Sequence, residues 1–406
     1  MQTETVKQAG LPQGLLIILA GFLPILAIVA LTPAVPSMVA HFGDNPAAMT
    51  LVPLAVTAPG LMIALFSPLM GWLTDRWGRR RLLQWATLVY GFVGVAPFFL
   101  ESLPAIIASR LVLGLCEAAI LTVTNTLIAD YYPEAGRRNW LMAQAAFGPI
   151  FGVSVLIGSG QLAAIDWHYS FLIYAVAFPI FVAMMIWLFE PDRETAHVSS
   201  GSTGFPMRHV LTCGAVTLLG ASLYYVYIVQ IGLAFEGIGL RDPGRVGMLV
   251  GLANIGVFLG GLAFKPLSVR FSTPAQIATF FGLMGLGMVG IGLTSTSTTM
   301  TAAATLQQVG AGILIPALVL WAMRDVAPLH RGKAMGIWSA CFFFGQFSSP
   351  LLVTGTRWGG ADIAAAFAVL GAVALVSSVA ALVLSRFNHG LDGSRLPIKD
   401  TAASSN

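Results

Sequence analysis

Residues Gly14 to Val35 read GLLIILAGFLPILAIVALTPAV, twenty-two positions without one charged side chain. Wound as an α-helix at 1.5 Å per residue, such a run covers about 33 Å, enough to cross a hydrocarbon layer of about 30 Å. It is too long for the apolar core of a signal peptide, which holds about 7 to 15 residues, and similar runs follow it at once. The stretch therefore reads as the first of a series of retained spans. Working outward from it, the same test finds apolar runs at 49 to 73, 82 to 100, 103 to 128, 140 to 162 and 169 to 189. Six more follow at 208 to 234, 245 to 267, 275 to 296, 299 to 325, 333 to 356 and 363 to 386. The composition agrees: of 406 residues 57% are hydrophobic and 9% are charged, where soluble domains carry roughly 25% charge. Mean hydropathy is +0.83. The expectation is an all-α membrane protein with twelve transmembrane helices.

The longest polar interruption is EPDRETAHVSSGSTGFPM, Glu190 to Met207, acidic at its start and rich in Ser and Gly later, as a flexible linker is. It divides the chain into an expected N-terminal six-helix bundle at 1–189, a central loop at 190–207, a C-terminal bundle at 208–386 and a tail at 387–406. The bundles read as pseudo-symmetric, because Asp130 and Asp325 with the prolines that follow them, Pro133 and Pro328, recur about half a chain apart. Internal repeats of this kind mark secondary transporters, whose substrate site lies between the repeats near the bilayer midplane. The net charge of +4 is a loop bias and gives no footprint for nucleic acid. With twelve spans, Arg76, Arg79, Arg80, Arg81, Arg137, Arg138, Lys265, Arg270, Arg324, Arg331 and Lys333 fall on one side. Arg241, Arg245 and Arg357 fall on the other. Short cytoplasmic loops hold the Lys/Arg excess, so the chain is expected in the inner (plasma) membrane with both termini cytoplasmic. Cys116, Cys213 and Cys341 all lie in apolar runs and read as packing residues, with no disulfide or metal site implied.

The turn after the second run is GWLTDRWGRRR, Gly71 to Arg81. One acid heads a basic tight turn, with Gly71 allowing close helix packing and Gly78 allowing the chain to reverse. Asp75 is placed to accept from nearby arginines or from a neighbouring helix amino end. The spacing Gly71, Asp75, Arg76, Gly78, Arg79, Arg80 resembles the signature between helices 2 and 3 of the major facilitator superfamily. A degenerate copy at Gly261 to Arg270, GLAFKPLSVR, lacks the acid. Arg110-Leu-Val-Leu-Gly114 is similar to the Arg-x-x-x-Gly of proton-coupled members, and Gly148-Pro149-Ile150-Phe151-Gly152 to the end of a pattern associated with antiporters. The resemblance implies a transporter working by alternating access, most like the drug/proton antiporter branch, with the Gly71 to Arg80 turn as its cytoplasmic gating motif.

Within the proposed spans only Arg110 and Glu117 place a charge well inside a helix, both on the fourth. Each costs about 2.5 to 3.5 kcal/mol at a helix centre, so such residues face a cavity or a partner. Seven residues apart, they share a face at roughly 10.5 Å along the axis. Glu117 is the expected proton-exchanging group, since burial disfavours its charge and Arg110 favours it. Arg110 would set that balance or hold an anionic substrate. Asn125, Gln144, Tyr225, Gln308 and Gln346 are the expected cavity lining, because amides and phenols pair a hydrogen bond with apolar surface. No phosphate-binding loop and no catalytic constellation lies in the chain, which excludes ATP-driven transport by this chain alone and argues against an intramembrane enzyme. No cofactor is called for, and the expected partners are a small-molecule substrate, protons and the lipid bilayer, with the protein acting as a monomer. Proton-coupled export of an amphipathic organic molecule is the favoured expectation. Uptake of an organic anion is the alternative, and a membrane sensor on a transporter scaffold is a third.

Overall fold

In the computed structural model, residues 9–191, 205–324, 326–327, 330–357 and 362–387 are described. Most of the expected central loop, nearly all of the tail, and Asp325 with Pro328 of the repeat lie outside them. Among the described residues twelve helices are long and apolar enough to cross a membrane. They are α1 (Leu11–His41), α2 (Ala48–Trp77), α3 (Arg79–Phe99), α4 (Leu103–Tyr131), α5 (Gly136–Ile165) and α6 (Trp167–Trp187). After the linker come α7 (Met207–Gly237), α8 (Pro243–Arg270), α9 (Thr273–Leu293), α10 (Ser297–Met323), α11 (Arg331–Thr356) and α12 (Ile363–Leu384).

The expected spans are all found, with two local differences. The first continues past Val35 to His41 through a 3-10 turn at Thr32–Ala34 and a short helix at Val35–His41. Pro33 and Pro36 lack the N–H groups an unbroken α-helix would use there, yet each suits the first turn of a new helix, so the chain bends and continues. The sixth begins at Trp167 as a ten-residue 3-10 segment, Trp167–Val176, before its α-helical part. Asp166 caps that segment by accepting from the His168 backbone N–H at 2.9 Å, and this bond holds its carboxyl below the usual carboxylate range. Elsewhere several hydroxyl groups within spans bond back to carbonyls of their own helix, as Thr57 does to Pro53 and Ser67 to Ile63, so these side chains are satisfied without water.

Among the described residues the first six helices meet the last six chiefly through α2 with α11, α5 with α8 and α1 with α7, with specific contacts toward the face opposite the Asp75 turn. Between α2 and α11, the Thr50 and Thr354 hydroxyls lie 2.9 Å apart and the Thr57 hydroxyl donates to the Phe347 carbonyl at 3.4 Å. Between α5 and α8, a Cβ on Gly247 would stand 2.6 Å from the Leu156 carbonyl oxygen and 3.0 Å from the Gly160 Cα. Between α1 and α7, Gly232 takes the ring of Pro36 against it. Toward the basic face the helices part: a Cβ on Gly71 of α2, or on Gly332 or Gly336 of α11, would meet nothing within 4 Å. Asn125, on the half of α4 toward that face, is exposed. An exposed amide inside a span points to a wet cavity, since lipid offers it no partner. Among the described residues, the specific contacts between the two sets of helices thus lie at mid-span and toward the face opposite the basic turn.

Candidate functional site

The site is built around α4, which packs on α1, α2 and α3. Gly114 lets α2 approach closely, its absent side chain leaving room for the Pro59 backbone, to which a Cβ would come within 2.6 Å. Arg110 is fully buried, with its guanidinium turned onto α3 and α6. Its Nη2 donates to the Val93 and Gly94 carbonyls at 3.1 and 3.0 Å, and its Cζ lies 4.8 Å from the Tyr174 ring centre and 5.2 Å from that of Phe171. The cause is legible in α3: the residue four beyond Val93 is Pro97, which has no N–H to give, so the Val93 carbonyl would be left without a donor. Arg110 supplies it. Replacing Arg110 with Met should cost about 1 to 3 kcal/mol, the penalty of an unsatisfied buried acceptor. Adding Pro97→Ala should return part of that loss, and thermal unfolding of the three variants in detergent measures both effects.

Glu117 lies at the middle of α4, fully buried, and neither carboxylate oxygen has a hydrogen-bond partner. Its helix, α4, packs on α1, α2 and α3, and α2 in turn packs on α11 of the other set. Tyr225 belongs to an aromatic chain, its ring 5.0 Å from Tyr224 and 5.8 Å from Phe342, with Phe342 stacked on Trp338 at 5.3 Å. Trp338, Phe342 and Gln346 are spaced four apart on α11 and form one stripe. Gln346 is buried against Gly60 of α2, with both amide atoms unpartnered.

The structure thus brings Glu117, Tyr225 and Gln346 to the junction of the two sets of helices. Gln308 sits beside it between α10 and α8, its Nε2 donating to the Asn254 Oδ1 at 2.7 Å. Gln144 lies against Gly21 of α1, and Asn125 stands farther toward the basic face. Sequence reading missed Asn254, Trp338 and Phe342. The four-residue spacing of Trp338, Phe342 and Gln346 was a usable signal, whereas nothing local singles out Asn254.

At the basic turn, Gly78 adopts a φ of 90°, a conformation that a side chain disfavours, and reverses the chain between α2 and α3. The amino end of α3 is held by Glu190, which accepts from the Arg79 and Arg80 backbone N–H groups at 2.6 and 3.0 Å. The Arg79 side chain forms an ion pair with Asp130 at the end of α4. In return α3 caps α6: Gln84 Nε2 donates to the Met184 carbonyl at 3.0 Å and Arg80 Nη2 to that of Met185 at 3.2 Å. Gln13 of α1 donates to the Trp187 carbonyl at 3.0 Å, and the Tyr131 hydroxyl of α4 to that of Phe189. The acid holding the helix amino end is therefore Glu190, while Asp75 is exposed at the end of α2.

The Major Facilitator Superfamily model matches residues 17–235 and 209–401, nearly the whole chain. Among curated proteins, the chain is 27% identical over 203 residues to a putative multidrug resistance protein, MdtD, of Yersinia enterocolitica, covering 48% of this chain and 41% of that one. It is 25% identical over 181 residues to the multidrug export protein EmrB of Escherichia coli K12, covering 44% of this chain and 34% of that one. The aligned regions thus span less than half the length of either relative. The fold is similar to that of the xylose transporter XylE of E. coli in an inward open conformation, with a TM-score of 0.72 at 16% identity, over 91% of this chain and 95% of that one. Twelve spans in this arrangement, the Gly71 to Arg80 turn and the match along the chain agree: the protein belongs to the Major Facilitator Superfamily and is a multi-pass membrane protein.

Proposed function

We propose that this transporter exports a small amphipathic organic molecule in exchange for protons. The observation that carries the reading is Glu117, a carboxyl buried at mid-span with no hydrogen bond to either oxygen among the described residues. Such a group is costly to leave charged, so enclosure favours its taking a proton and wetting favours release. The substrate would lie against Tyr225, Phe342 and Trp338, with Gln346, Gln308, Gln144 and Asn125 offering hydrogen bonds. That surface suits ligands with an aromatic or conjugated face. The multidrug relatives named above support the same substrate class. Arg110, bound to backbone carbonyls, acts as a positioning residue for α4, which disfavours the alternative in which it receives an organic anion during uptake.

In this reading the basic face is cytoplasmic, both termini lie inside, and the protein works as a monomer in the inner membrane with 1–189 and 208–386 rocking about the site. The turn at Gly71, Asp75, Arg76, Gly78, Arg79 and Arg80 acts as the cytoplasmic gate. Proteoliposomes with an imposed pH gradient of either sign, loaded with cationic, neutral and anionic aromatic probes, test it. Proton-driven accumulation against the direction of proton flow is expected; co-movement of probe and proton would establish uptake instead.

A further inference from the structure

Where α2, α3 and α6 end at the basic face they enclose a cleft of about 480 Å³ lined by Arg76, Trp77, Arg80, Arg81, Gln84 and Glu190. Among the described residues its one acid is Glu190, which is already engaged by the first two N–H groups of α3, and three guanidinium groups line the same space. Arg80 spends one donor on the Met185 carbonyl, and its Nε–H is buried with no acceptor. Arg81 is exposed, and Arg76 is held over the Trp72 ring at 5.4 Å with its charge unneutralised by that contact.

Trp77 lines the cleft, and exposed apolar side chains flank its lining residues along α2, α3 and the end of α6. Trp72, Trp77, Trp85 and Trp187 are all about half exposed or more, and Met185 and Ile186 stand open beside them. Tryptophan so placed at the ends of spans marks the membrane–water boundary. A free anion would need the arginines alone, whereas a ligand that matches the arginines and the flanking side chains together carries a phosphate on acyl chains.

From this juxtaposition we infer that the cleft is a binding site for an acidic phospholipid, its phosphodiester taken by Arg76, Arg80 and Arg81 and its chains lying along the flanking tryptophans. The site is separate from the central one, and it is seated on the turn that joins α2 to α3. A bound lipid would brace that turn against α6 and make the gate sensitive to the surrounding leaflet.

Native mass spectrometry of the full chain with equimolar phosphatidylglycerol and phosphatidylcholine tests the inference. Retention of phosphatidylglycerol about tenfold above phosphatidylcholine is expected. The preference should fall to near parity in Arg76→Gln/Arg81→Gln, which leaves the Arg80 bond to α6 in place. It should persist in Arg137→Gln/Arg138→Gln, an exposed basic pair on the same face outside the cleft. Parity in the unaltered protein, or an unchanged preference in the first double variant, would overturn the assignment. Displacement of the lipid by millimolar inorganic phosphate would overturn it in favour of a free anion. Circular dichroism confirms that both double variants are folded before binding is compared.

Discussion

Glu117→Gln should abolish proton-driven accumulation while leaving substrate exchange intact. One pH unit is worth about 1.4 kcal/mol per proton, so a one-for-one exchanger accumulates its substrate about tenfold for each unit of gradient imposed. In the glutamine variant the ratio should fall to about one at every gradient. Counterflow of labelled against unlabelled substrate should continue, because Gln fills the same space on α4 and keeps a polar tip there. Both assays use the same proteoliposomes, and accumulation that still follows the pH gradient in the variant would remove Glu117 from the coupling step.

Gly247→Val should wedge apart the contact between the two sets of helices on the face opposite the basic turn. The added Cβ alone would come within 2.6 Å of the Leu156 carbonyl oxygen and 3.0 Å of the Gly160 Cα, and neither backbone can yield without parting α5 from α8. Overpacking of this kind costs about 1 to 3 kcal/mol, which shifts a two-state equilibrium by about 5- to 150-fold. Spin labels at Ile165 and Arg241, near the ends of those helices, should report a longer and broader distance distribution. Transport should fall in step. Gly158→Val, on the partner helix α5 but with nothing within 4 Å of its Cβ position, should leave both unchanged. An unaltered distance in Gly247→Val would show that the arrangement of the two sets does not depend on this contact.

Much of the architecture was open to reading because lipid imposes simple rules. A span must be long and apolar, and charge must lie at its ends, so twelve helices and the isolation of Arg110 and Glu117 follow from the order of residues alone. What was hidden depends on partners far apart in the chain. Arg110 reads in the sequence as setting the proton balance of Glu117 or holding an anionic substrate, and only the fold shows its guanidinium donating to the Val93 carbonyl that Pro97 leaves open on α3. Nothing near Arg79 in the sequence announces that Glu190, more than a hundred residues later, holds the amino end of α3. Asn254 carries no local sign of its pairing with Gln308, because that bond exists only once α8 and α10 are side by side.

The carbonyls at the end of α6 take their donors from Gln13, Arg80, Gln84 and Tyr131, one or more from each of α1, α3 and α4. During synthesis the sixth helix therefore leaves the insertion machinery as the last piece of an assembly whose other members are already waiting, and its own terminus closes the set. The first half of the chain is equipped to consolidate before the second half has been translated, so an error in the later helices need not unravel the earlier ones.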